Sequence, residues 1–498
     1  MTLPAAGERR RTIACVVVFC LAVLVSLAWL AGWSATVAPD SGSYFQTLSS
    51  LFGDDRSLCL RTPFYPLLMA AADAAGHSGW LVLGVQIVCH ALAASVMAAV
   101  LWPASAAAAT VVGLLLAVDL SAAATSTAYL TESLAASGQV LCCALLIAQT
   151  GPDRAPGRNA LLGAGILFGL ALMIRPTGWV LFVPLLATYA WRLRSLVKTC
   201  LVTAGFCLIL AGIVLFNMAR CGYAGIVRPG PYLAFPLFAQ QLFARDNGPV
   251  SRELDDALRG CYPDLRYEDV TVATSNEFIH QRFAACLARR YPGDGTKGWE
   301  LYGGAYREAA LAHPGRFAQR MFLESLVFLY GPAADYAYQM ARDSERFDRV
   351  AFCTPGRGPA RDDFRRFICP LPSPSPPLGM FLARLSAGSV ALYQPYLPLG
   401  MSFPSAFAAA AVVLAYWILA LLVALPALRL PVVLAGLLVC SNAALTAAGQ
   451  VTLSRYVSIL SPAYLLVVGI VVASAGQRLA VALRRATAPP AGRAETSP

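Results

Sequence analysis

Ten apolar runs, broken by short polar connections and one long polar segment, set the plan of this chain. The first covers Thr12 to about Val37, and others follow at roughly 79–101, 104–121, 129–149, 160–174, 177–190 and 199–218. Three more lie near 403–425, 430–449 and 456–474. About 20 apolar residues cross a bilayer, so the pattern predicts an all-α polytopic membrane protein with about ten transmembrane helices. The first run is too long for the apolar core of a signal peptide and reads as a retained span.

The arginines orient these runs. Arg9, Arg10 and Arg11 precede the first run and place the N-terminus in the cytoplasm. The connections at 150–159 (Arg154, Arg158) and 191–198 (Arg192, Arg194, Lys198) are basic, as cytoplasmic turns should be. The connection at 122–128 carries no lysine or arginine and falls on the opposite side, with the loop 38–78. Residues 1–218 thus form an N-terminal module of about seven helices. Residues 219–402 change character, with frequent charges and a proline cluster from Pro370 to Pro377. Helical periodicity there predicts a mostly helical extracytoplasmic domain, with an interfacial helix near 378–398. The spans of 403–475 and a basic cytoplasmic tail, 476–498, complete the chain.

Composition agrees. Of 498 residues, 58% are hydrophobic and 13% charged, and the mean hydropathy is +0.61. The net charge of +11 comes from arginines flanking apolar runs, which fits topology control and not nucleic-acid binding. Eight of the fourteen cysteines lie inside apolar runs and read as small hydrophobes. Outside them, Cys261–Cys286 and Cys353–Cys369 are plausible disulfides if their side is oxidising, although sequence does not fix the pairing. Four histidines without metal-ligand spacing argue against a zinc site.

Ionisable residues at membrane boundaries cost free energy and need a reason. Under this topology they collect on the extracytoplasmic face: Asp40 and Arg61 in the first loop, Asp119 and Glu132 beside the second, Arg175 at the third, then Arg228 and Arg455. Each also has an ordinary reading. Asp40 suits a helix N-cap, and Glu132 suits a first turn where it offsets the helix dipole. The arginines suit snorkelling anchors, and Tyr44 and Tyr65 suit an interfacial aromatic belt. His90 fits a helix-packing hydrogen bond, and His313 a surface position.

Taken together, acids and arginines at this depth suit a sugar carried on a lipid phosphate. A carboxylate can take a proton from a hydroxyl nucleophile or hold a divalent cation. Arginines bind phosphate through planar, charge-assisted forks. The phosphate leaving group is already acidic, so one base and a phosphate clamp suffice for a single in-line displacement.

Several pieces, in order, resemble the GT-C superfold of polyprenyl-phosphate-sugar-dependent glycosyltransferases. That group includes bacterial relatives of protein O-mannosyltransferases and of lipid A aminoarabinose transferases. The pieces are Pro39-Asp40-Ser41-Gly42-Ser43-Tyr44, Arg61-Thr62-Pro63-Phe64-Tyr65-Pro66, Leu130-Thr131-Glu132, Gly169 through Arg175-Pro176, and His313-Pro314-Gly315-Arg316-Phe317. They cover the first 220 residues or so and the remainder only loosely. The resemblance implies Asp40 and Glu132 as catalytic residues, with a divalent metal at these acids in some relatives. It implies Arg61, Arg175 and Arg455 on the donor phosphate, with Tyr44 and Tyr65 against substrate. Ser41 stands where the mannosyltransferases carry a second acid, and Asp54-Asp55 lies outside the matching piece. That departure weakens the protein-mannosylation reading and favours the broader bacterial group, the expected acceptor being an envelope glycan, lipid or protein. The expected setting is a plasma (inner) membrane, and the alternatives are a transporter or flippase of lipid-linked glycans and a non-catalytic scaffold.

Overall fold

A computed structural model describes residues 6–33, 35, 41, 44, 61–76, 79–151, 156–175, 178–227, 230–270, 274–292, 294, 296–330, 375–393, 403–449 and 458–487. The regular elements that order these residues are all helical. Among the described residues, six helices are long and apolar enough to cross a membrane, or seven if one bent pair counts as a span. The chain therefore has the build of a helical multi-pass membrane protein.

Helix α1 (Ala6–Trp33) carries Arg9, Arg10 and Arg11 near its start and is apolar beyond them. A short helix, α2 (Phe64–Ala74), precedes α3 (Gly79–Leu101). The run at 104–121 is not one straight helix: α4 (Ala106–Ala117) and α5 (Leu120–Ser126) meet at 48°. Asp119 makes the break by accepting from the backbone N–H of Ser121 and Ala122, a side-chain N-cap that starts a new helix. Its second oxygen accepts from Ser461 Oγ at 2.6 Å. Residues 122–126, expected as part of a polar connection, are thus a buried helical turn. Their small side chains let α5 pack closely on α1, α3 and α6 (Glu132–Gln149).

Helices α7 (Arg158–Ile174), α8 (Gly178–Leu193) and α9 (Leu196–Cys221) complete the N-terminal module. Glycine brings α7 and α9 into backbone contact. A Cβ on Gly165 would strike the Val202 carbonyl oxygen, and one on Gly205 the Leu162 carbonyl oxygen. Gly222 ends α9 at φ 62°, in the left-handed region that favours glycine.

Beyond it, α10 (Gly230–Ala239), α11 (Pro249–Arg259), α12 (Ala284–Arg290) and α13 (Lys297–Ala312) share a separate core. Phe238 is its centre, with ring centroids 5.1 Å from Phe283 and 6.1 Å from Tyr302. Asp255, buried on α11, ties Arg245, Arg259 and Tyr267 together. Cys261 and Cys286 form a disulfide across this core, as the sequence reading paired them. Cys353 and Cys369 lie outside the described residues.

Helix α14 (Pro314–Tyr330) leaves this core and packs on α17 (Arg429–Gly449), with Leu326 and Leu329 joining the main apolar core. Helix α15 (Pro376–Tyr393), where an interfacial helix was expected, leans on α1. There the backbones approach so closely that a Cβ on Gly32 would lie 2.9 Å from the Gly379 Cα. Helices α16 (Phe403–Val423) and α18 (Ser461–Thr487) flank α17.

Candidate functional site

The strand-like residue Arg175 anchors the site. Helix α7 ends at Ile174 because Pro176 follows: the residue before proline is pushed out of helical space, and Arg175 takes φ −150°, ψ 134°. The extended backbone lets the side chain reach Glu132, the first residue of α6, with Nη1 3.1 Å from Oε1. Both side chains are buried, at 10% and 2% exposure. Glu132 is therefore more than a first-turn dipole partner.

Described residues of the first loop bond to the segments that carry this pair. Ser41 Oγ donates to the Tyr129 carbonyl at 2.8 Å, and Thr62 Oγ1 donates to the Ile174 carbonyl at 3.1 Å. The two loop pieces are thus pinned directly beside Glu132 and Arg175. Tyr44 OH lies 3.1 Å from Thr131 Oγ1, which donates to Glu132 Oε2 at 3.4 Å. Thr131 can accept from the phenol while it donates to the carboxylate, so a hydroxyl relay runs from the loop to the acid.

Arg61 sits over two rings, with its guanidinium carbon 4.8 Å from the Tyr44 centroid and 5.4 Å from the Tyr232 centroid. Tyr65 packs edge-on against Tyr44 at 4.9 Å and is fully buried. Its hydroxyl donates to Gln86 Oε1 at 2.8 Å. Gln86 Nε2 donates in turn to the carbonyls of Ser126 and Ala128. Burial pushes the Tyr65 phenol well above its ordinary range, with Tyr44, Tyr129 and Glu132 adding to the effect. Tyr65 stays neutral and holds the floor of the site.

Five expected residues therefore gather in one place: Glu132, Arg175, Arg61, Tyr44 and Tyr65. Asp40, Arg228 and Arg455 lie outside the described residues, although Ser41 beside Asp40 is part of the cluster. Asp119 serves as a cap and bonds Ser461. His313 is exposed at the end of α13, and His90 is buried in α3.

Thr62, Gln86, Tyr129, Thr131 and Tyr232 belong to the cluster but were not singled out as site residues. Gln86 had a readable signal, an amide inside an apolar span. Thr62 and Thr131 stood within the quoted motifs, whereas Tyr232 had no signal at all. Among the described residues, no three His, Cys, Asp or Glu side chains gather to hold a metal ion. Among the described residues Glu132 faces the Arg175 guanidinium. No protein-family model matches the chain, and no curated protein matches it.

Proposed function

We propose that the chain is an integral-membrane glycosyltransferase that moves a sugar from a polyprenyl-phosphate donor to an envelope glycan, lipid or protein outside the cytoplasm. One observation carries the reading: Ser41, Tyr44 and Thr62 of the first loop bond to Tyr129, Thr131 and Ile174, the neighbours in sequence of the buried Glu132–Arg175 pair, and Arg61 lies over the Tyr44 ring. These segments are distant in sequence, yet they are the ones whose chemistry suits a lipid-linked phosphate. Asp40, next to Ser41, is assigned as the general base that takes the proton from the acceptor hydroxyl. The hydroxyl oxygen then bonds to the anomeric carbon while that carbon's bond to the phosphate oxygen breaks, with inversion. The bonding electrons leave on the lipid phosphate, whose charge Arg61, Arg175 and Arg455 stabilise. Glu132 fixes the Arg175 fork through the ion pair and is itself held by Thr131.

A second reading, a carrier for lipid-linked glycans, draws on the bend between α4 and α5 and the buried Asp119–Ser461 contact there. Broken helices beside buried polar groups are common in transporters. The experiment is a mass-spectrometric comparison of envelope glycolipids in cells lacking the protein, complemented with wild type or Asp40→Asn. A glycosyltransferase leaves an acceptor one sugar short, restored by wild type alone. Restoration by both proteins contradicts the assignment of Asp40 as base.

A further inference from the structure

Two rings from different parts of the fold reach Arg61, with its guanidinium carbon 4.8 Å from the Tyr44 centroid and 5.4 Å from the Tyr232 centroid. Tyr44 belongs to the first loop and is fixed by Thr131 and Tyr65. Tyr232 lies in the first turn of α10, whose residues Ala234, Leu237 and Phe238 are buried in the core around the disulfide. Each ring attracts the guanidinium through its negative face, a cation–π contact. These ring contacts therefore restrict where the side chain can sit.

We propose that Tyr232 is a positioning residue: it holds the Arg61 fork against the donor phosphate and ties that contact to the packing of the α10–α13 core. The inference rests on the reading of Arg61 as a phosphate-binding residue. Through α10, any shift of the core where Phe238 packs would be felt at Arg61.

The test measures binding of undecaprenyl monophosphate to the purified full-length protein in detergent micelles. Arg61→Ala is expected to lose most of the affinity. Tyr232→Ala is expected to weaken binding about tenfold, and Tyr232→Phe, which keeps the ring, to stay within about twofold. In the Arg61→Ala background, Tyr232→Ala should add nothing, because the two act through one contact. If Tyr232→Ala fails to fold, Tyr232→Leu replaces it, keeping bulk without the ring face. Loss of affinity in Arg61→Ala with wild-type affinity in Tyr232→Ala or Tyr232→Leu overturns this inference and leaves the phosphate site standing. A wild-type protein that binds no undecaprenyl monophosphate overturns both.

Discussion

Nη1 of Arg175 lies 3.1 Å from Oε1 of Glu132, with both side chains buried where α7 ends and α6 begins. Removing one member of such a pair strands the other charge inside the protein. Glu132→Gln is expected to destabilise the fold by about 3–5 kcal/mol, and Glu132→Gln with Arg175→Met to recover most of that loss. Thermal unfolding in detergent reads both. A double variant no more stable than the single one would show that the pair is not a self-contained unit.

Tyr65 supports the site without offering its hydroxyl to a ligand. Tyr65→Phe leaves Gln86 Oε1 without its buried donor, a cost of about 1–3 kcal/mol. The expected result is a lower melting temperature with unchanged transfer per folded molecule. A selective fall in kcat, at equal folded fraction, would instead make the phenol a substrate contact.

Helices α7 and α9 depend on glycine at their crossing. A Cβ on Gly205 meets the Leu162 carbonyl oxygen, whereas one on Gly212 meets nothing within 4 Å. Gly205→Leu should therefore fail to fold or aggregate, and Gly212→Leu should behave as wild type. Size-exclusion profiles of the two variants check this directly, and equal behaviour would contradict the crossing.

Glu308 gives the α10–α13 core a defined acid response. Partial desolvation works upward on its carboxyl. The hydrogen bonds from Val250 N–H, Ser251 N–H and Ser251 Oγ outweigh it and hold the group below its ordinary 4.5. A folded-state value below the unfolded one means the unfolded chain binds more protons, so this stabilisation is present above 4.5 and disappears as pH falls through the folded value. Glu308→Gln should lower the melting temperature near neutral pH, and the gap to wild type should close on acidification. Following unfolding through tryptophan fluorescence at several pH values measures it; a gap independent of pH would show that the carboxylate charge is not involved.

Charges at the edge of hydrocarbon made much of the site legible in the sequence. Glu132 and Arg175 stood out because each interrupts an apolar run at a cost, and Pro176 explains both the break and the reach of Arg175. The bend at Asp119 was hidden, because one polar residue in a long apolar run reads equally as a boundary or a kink. Tyr232 was hidden for another reason: its place depends on how α10 seats in its own core, which no local spacing encodes. Helix α14 likewise shows amphipathic periodicity, but only packing reveals that its end joins α17.

The most direct measurement is release of polyprenyl monophosphate by the purified protein, given polyprenyl-phosphate sugars and an envelope glycolipid extract as acceptor. Wild type is expected to release the lipid phosphate together with a glycosylated acceptor. Asp40→Asn should slow that release by about a hundredfold or more while still binding undecaprenyl monophosphate. Release by Asp40→Asn at the wild-type rate would contradict the catalytic account.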